Sequence, residues 1–449
     1  MTKIKMDYKN LQEWDFYTND ISTELTQLIA EGKDIDEFIP IFESVAKLSN
    51  SEHKSELCDV LYKIAMDAKI RDDYKYYEPS DLDGIKKLRK QHKINGTVPD
   101  ADLLKKKIHG AWTGRIAGCL LGKPLEGIRT NELIPLLKET GNYPMSRYVL
   151  KRDITEEMCN RFKFNLRDKC FADTVDGMPV DDDTNYTALY QLLIEKYGRD
   201  FTPENVARLW LGSQSRDAYF TAERVAFGNF VRGYAPPESA IYKNPYREWI
   251  GAQIRADYFG YINPGKPEIA AEMAYRDASI SHIKNGIYGE MFAAAMLACA
   301  AVTDDINEII MGGLAEIPHT SRLYEAVTGI INMHNSGKSI NDCYKHIHSE
   351  FDEHTGYGWC HTISNAMIVT TGLLYGEGDL GKSICIAVEA GFDTDCNGAT
   401  VGSVIGMRNG IDCIGEEWTK PLNDTLHTSI FGIGTVKISE LAEKTLKHI

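Results

Sequence analysis

Apolar residues recur at three- and four-residue intervals along most of this chain, and strict apolar–polar alternation is scarce. The pattern predicts helices throughout and an all-α fold. Thr184 to Tyr197 is the clearest case: Tyr186, Leu189, Tyr190, Leu193 and Tyr197 share one face, and Gly198 supplies the stop. Asp379 reads as the cap of another helix, Leu380 to Glu389. Long irregular connections are expected around 141–180 and 231–268. The Ala-rich run from Met291 to Val302 reads as a buried helix, too short to span a bilayer.

The first 100 residues differ in character. They are polar and charge-rich, with short amphipathic patches at Ile21 to Ile29 and Phe38 to Leu48 and an acidic, Tyr-rich stretch over 72–83. Asn95 to Pro99 has the Gly and Pro of a linker. The shift predicts a helical accessory region over 1–100, with no residue that suggests chemistry, and a main domain over 101–449.

Two segments of the main domain carry glycine stripes. Gly114, Gly118 and Gly122 are spaced four apart, and so are Gly398, Gly402 and Gly406. Each glycine costs a helix about 1 kcal/mol, so the stripes predict close approach of another backbone. Arg115 and Lys123 interrupt the first segment and exclude a membrane dimer seam. A close-packed pair of these helices would carry Glu126, just after the first stripe, toward Asp393 and Asp395, just before the second.

Charge and cysteine content narrow the function classes. Sixty-five acidic against 50 basic residues give a net charge of −15, which argues against a nucleic-acid-binding surface and against an anionic membrane. The ten cysteines are scattered with no CxxC pair, which reads as reduced thiols in a cytoplasm. The first residues contain no apolar run of the kind a signal peptide needs.

The chemistry concentrates in carboxylates. Asp181-Asp182-Asp183 and Asp393-Thr394-Asp395 each precede or open an apolar helix. One Asp in such a place is most simply a helix cap. Three in succession overshoot that role, because neighbouring carboxylates repel. Hard divalent cations, which prefer oxygen ligands, are the natural counter-charge. Rival signals are weaker. Residues 376–383 satisfy the P-loop letters, but no strand pattern precedes them and Glu377 and Asp379 would face the phosphate. His346 and His348 lack partners at zinc-finger spacing and read as a solvated helix face. There is no GxSxG elbow.

Taken together, these residues resemble the ADP-ribosylglycohydrolase family, over roughly residues 105–410. The Gly114–Glu126 segment is similar to the family's opening Gly-rich helix with its Pro and Glu. Asp182-Asp183-Thr184 resembles its middle motif, Gly251 to Arg255 its binding loop, Ser281-His282 a Ser-His element, and Asp393-Thr394-Asp395 its closing motif. The resemblance implies an all-α fold holding two divalent cations, Mg²⁺ or Mn²⁺, and hydrolysis of a glycosidic bond to ADP-ribose on a protein or small molecule. It implies Glu126, Asp182, Asp183, Asp393 and Asp395 as the metal set, with Glu126 and Asp183 as catalytic carboxylates, and Asp181 is added to the set because an extra carboxylate suits a hard cation. Gly251, Ala252, Gln253, Arg255 and His282 would line the substrate pocket. Asp181, Cys119, Cys396 and Ile250 depart from the family pattern. Asp181 is expected to shift the coordination and Cys396 to stay out of it. The departures motivate one alternative, a metal-dependent ADP-ribose or nucleotide binder with weak turnover.

Overall fold

A computed structural model describes residues 6–8 and 12–449. It is 62% helical and 2% strand, which makes it all-α as the periodicity predicts. Among the described residues one antiparallel strand pair forms, Thr425–His427 against Thr435–Lys437.

The centre of the molecule is the antiparallel pair of helices Ala101–Gly122 and Thr394–Asn409. Their glycines interlock. A Cβ at Gly114 would lie 2.2 Å from the Gly402 carbonyl oxygen, and one at Gly118 only 1.9 Å from that of Gly398. Gly110 opposite Gly406 continues the seam at one end, and Gly122 opposite Thr394 closes it at the other. No residue with a side chain fits along this line without separating the backbones. Around the pair lie helices that are buried on nearly every face, among them Lys284–Ala300 and Thr362–Tyr375.

Local signals in the sequence are reproduced closely. The helix Asp182–Tyr197 stops at Gly198, whose φ is +73°. Asp379 caps Leu380–Glu389 by accepting the Lys382 N–H at 2.7 Å. The P-loop letters therefore occupy a helix–turn–helix, after Thr362–Tyr375 and not after a strand. The stretches 141–180 and 231–268 are largely irregular but contain the short helices Glu156–Arg161, Glu238–Ile241 and Asp257–Tyr261. The face carrying His346 and His348 is half-buried, and His348 Nε2 lies 3.1 Å from the Ala390 carbonyl oxygen.

The N-terminal helices, including Ile21–Ala30 and Glu52–Asp67, enclose a small core of their own around Ile21, Leu28, Phe42 and Leu61. They attach to the rest through buried charge. Arg247 pairs with Glu24 at 2.9 Å and Glu31 at 2.7 Å, and Gln27 donates to Glu248 at 2.6 Å. The 95–99 segment is pinned, since both Asn95 nitrogens donate to Glu308 at 3.0 Å.

Asp20 marks a cost of this attachment. Burial pushes its carboxyl up to about 7, against the opposing hydrogen bond from Tyr246. A carboxyl whose folded pKa is raised binds its proton more tightly in the folded state. Its contribution to stability therefore falls as pH rises from the unfolded value near 4 to about 7. Asp20→Asn is expected to stabilise the protein by about 2 kcal/mol at pH 8 and by less at pH 5. Thermal unfolding at both pH values checks this; an equal shift at each would refute the assignment.

Candidate active site

The glycine seam ends at the site. Thr394 Oγ1 donates to the Gly122 carbonyl oxygen at 2.9 Å, fixing the register of the two helices where the carboxylates begin. From Gly122 a single 3₁₀ turn, Lys123–Leu125 with Pro124 inside it, delivers Glu126. On the other helix, Gly391 (φ +79°) and Phe392 (φ +58°) make two consecutive left-handed residues before Asp393. That conformation is costly for a bulky residue, by about 1–2 kcal/mol. Trp359 Nε1 holds the turn by donating to the Phe392 carbonyl oxygen at 2.5 Å.

The helix Asp182–Tyr197 brings the other cluster. Asp181 is its cap: Oδ1 accepts the Asp183 N–H at 2.9 Å, and Oδ2 accepts from Lys123 Nζ at 2.6 Å. Both Asp181 oxygens are thus engaged within the protein. Asp183 is fully buried, held from beneath by Arg115, which donates to its carbonyl oxygen at 2.6 Å and pairs with Asp257 at 2.9 Å. Capping explains Asp181 and none of the others. Asp393 stands at the cap position of its helix, yet its side chain accepts no capping hydrogen bond. Asp183 Oδ2 and Asp395 Oδ1 are buried with no hydrogen-bond partner.

Those two orphan oxygens indicate what the site would accept. Unpaired buried carboxylate oxygens are expensive unless a cation meets them. One ligand atom from each of Asp183, Asp395 and Cys396 lies within 4.8 Å of the others, and the same holds for Cys119, Asp181 and Asp183. The acidic groups could therefore hold a metal ion, and the two thiols border the cluster. Burial and the neighbouring Asp181 push Asp182 and Asp183 well above the usual carboxylate range. Glu126 is pushed up chiefly by the charge of Asp395, and burial with Asp181 raises Asp395 itself to about 6. A divalent cation would relieve all of these repulsions together.

The cluster forms one wall of a cavity of about 590 Å³, a size suited to a nucleotide-like ligand. Glu126, Asp181, Asp182, Asp393 and Asp395 line it, whereas Asp183 lies behind them. Trp14, Phe220, Ile250 and Trp359 also border it. Of the residues expected to contact substrate, Gly251 lines the cavity. Ala252, Gln253, Arg255 and His282 are buried behind the lining.

Arg255 is the hub of that buried layer. It pairs with Asp277 at 2.7 Å, Glu223 at 3.0 Å and Glu290 at 3.6 Å, and donates to Ser281 Oγ at 3.0 Å. Ser281 Oγ in turn meets His282 Nδ1 at 2.8 Å. Burial and the nearby Arg255 push the His282 imidazole well down, so it stays neutral. Glu223 reaches from this layer into the cavity. A Cβ on Gly251 would lie 1.9 Å from its Oε1, so the glycine of the loop makes room for a carboxylate.

Several site residues were not singled out from sequence, among them Lys123, Glu223 and Trp14. Lys123 sits inside the quoted Gly-rich motif, and its position beside an acidic cluster was the available signal. Glu223 and Trp14 gave none, since neither belongs to a motif that the sequence singles out.

The family model for ADP-ribosylglycohydrolase matches residues 100–449. A solved ADP-ribosylglycohydrolase-related protein complex is similar at 14% identity with a TM-score of 0.47, covering 77% of this chain and 98% of that one. None of the curated proteins matches the chain.

Proposed function

The chain belongs to the ADP-ribosylglycohydrolase family, a family of glycohydrolase enzymes, and from that premise we propose that it hydrolyses an N- or O-glycosidic bond to ADP-ribose on a modified protein or small molecule. The observation that carries the reading is the pair of orphan buried oxygens, on Asp183 and Asp395, beside a nucleotide-sized cavity. Asp182, Asp183, Asp393, Asp395 and Glu126 are the proposed holders of two divalent cations, Mg²⁺ or Mn²⁺. Asp181 joins them through the oxygen it shares with Lys123. Bound there, the cations would supply charge that orients ribose hydroxyls and acidifies water.

The protein's own groups do the rest. Glu126 opens onto the cavity with a raised proton affinity, which suits a base that takes a proton from water as the glycosidic bond breaks. Asp183, the other candidate, is fully buried and supports the cluster from behind. Glu223, held by Arg255, faces the cavity as a hydrogen-bond acceptor for substrate hydroxyls. Residues 1–100 act as a helical accessory region beside a catalytic domain over 101–449. The ten unpaired thiols support a reducing, cytoplasmic setting.

The test is release of free ADP-ribose from a mixed pool of ADP-ribosylated proteins and small molecules. Release is expected with Mg²⁺ or Mn²⁺, is lost on chelation, and drops about a hundredfold or more in Asp182→Asn. The cation should also raise the melting temperature by a few degrees at saturating concentration. Binding of ADP-ribose without any release would favour the weak-turnover alternative, for which the departures at Cys119, Ile250 and Cys396 are the motive. Full activity after exhaustive chelation would overturn the metal assignment.

A further inference from the structure

The cavity has an aromatic rim that the matched family region does not supply alone. Trp14 lines it, although it lies far outside residues 100–449. Its ring meets Phe220 edge to face, with centroids 5.7 Å apart and planes at 84°. Trp14 packs in part against the main core, but the pair is not sealed inside it. Phe220 is 40% exposed and Trp14 is only partly buried, so both keep free ring surface toward the cavity.

The segment that presents Trp14 is fixed by charge and hydrogen bonds. Asp15 pairs with Arg216 and Arg224, each at 3.1 Å, and the Gln12 side-chain oxygen accepts from the same two arginines at 2.6 and 3.0 Å. These arginines stand four residues on either side of Phe220, so the anchorage braces the very ring that Trp14 meets. Arg224 is 7% exposed and Asp15 14%, which makes the pair stronger than a surface bridge. Trp14 itself has φ +61°, a strained conformation for so large a residue. Such strain persists where surroundings enforce it, and it clusters at binding sites.

Resting on the reading of the site as an ADP-ribose pocket, we infer that the N-terminal segment completes that pocket and that Trp14 packs, with Phe220, against the purine ring of the ADP-ribosyl group. Trp14 is thus a specificity-determining residue contributed by the accessory region. The carboxylate wall takes the ribose end of the ligand, and the aromatic rim takes the flat, apolar end.

Calorimetric titration of ADP-ribose and of ribose 5-phosphate, with Mn²⁺ present, separates the two ends. The proteins are the wild type, Trp14→Ala, Trp14→Leu, which keeps apolar bulk without a π face, and Trp14→Phe. Loss of base stacking predicts about ten- to a hundredfold weaker ADP-ribose binding in the Ala and Leu variants. Phe should restore most of it, ribose 5-phosphate should be unaffected, and kcat should change less than KM. Unchanged ADP-ribose affinity in the Ala and Leu variants, or equal loss for both ligands, would overturn the inference while leaving the proposed function intact. A wild type that binds no ADP-ribose would overturn both. Should Trp14→Ala fail to fold, the Leu and Phe pair carries the same comparison.

Discussion

Gly118→Ala is expected to destabilise the protein by about 3 kcal/mol or more, beyond the ~1 kcal/mol that alanine adds in helix propensity. The new Cβ would lie 1.9 Å from the Gly398 oxygen and 2.4 Å from its carbonyl carbon. Both are backbone atoms in the middle of a helix, so neither can rotate away as a side chain would. The helices must separate, and the contacts at Gly114–Gly402 and Gly110–Gly406 loosen with them. Glu126 and Asp395 sit at one end of this pair, so the separation also spreads the carboxylates. The thermal stabilisation proposed for Mg²⁺ or Mn²⁺ should shrink in the variant. Gly329→Ala is the control: it lies in the helix Arg322–Asn335 with nothing within 4 Å of the added carbon. It is expected to be neutral or to gain up to about 1 kcal/mol. Urea unfolding midpoints decide the matter, and a Gly118→Ala protein as stable as wild type would contradict the backbone contact.

Arg255→Met should have an effect of similar size for a different reason. Arg255 is fully buried among Asp277, Glu223 and Glu290. Removing one partner of a buried pair leaves uncompensated charge and typically costs about 3–5 kcal/mol. Lysine keeps the charge but not the planar fork that serves two carboxylates and Ser281 at once, so Arg255→Lys should fall between. Burial already raises the Glu223 carboxyl against the pull of Arg255. Without the arginine it rises further. A raised folded pKa means that protonation favours the folded state, so the Met variant's deficit should be largest at pH 8 and shrink as pH falls. A deficit that does not vary with pH would show that lost packing, against the Trp210 ring at 4.9 Å for instance, dominates instead.

How far the site could be read in advance followed the range of the forces involved. The glycine stripes were legible because a helix tolerates a glycine every fourth residue only where something must approach. Asp181 to Asp183 were legible because like charges are not placed side by side without a reason. The caps at Asp379 and the stop at Gly198 are local backbone chemistry, written within four residues. What could not be read is pairing across the chain. Arg255 looks like a substrate ligand when its neighbours in sequence are the only guide. Its partners Glu223, Asp277 and Glu290 come from three other helices, and together they draw it behind the cavity wall. Asp181 reads in sequence as one more carboxylate of the cluster, and its pairing with Lys123, 58 residues away, is not written there. Trp14 was hidden for the same reason: a tryptophan beside Phe16 and Tyr17 in a polar segment says nothing about a cavity formed far downstream.

The glycine seam has a consequence for synthesis. Its halves are far apart in the chain: the hydrogen bond from Thr394 to Gly122 spans 272 residues. At roughly 5–20 residues per second, the first helix leaves the ribosome about 15–55 s before its partner exists. During that interval its grooved face, cut to fit one backbone, has nothing to close against. An interrupted translation product carries Glu126 and the Asp181–Asp183 run but neither Asp393 nor Asp395. Elongation through the second helix thus builds the fold's central contact and brings the carboxylate runs together in one event.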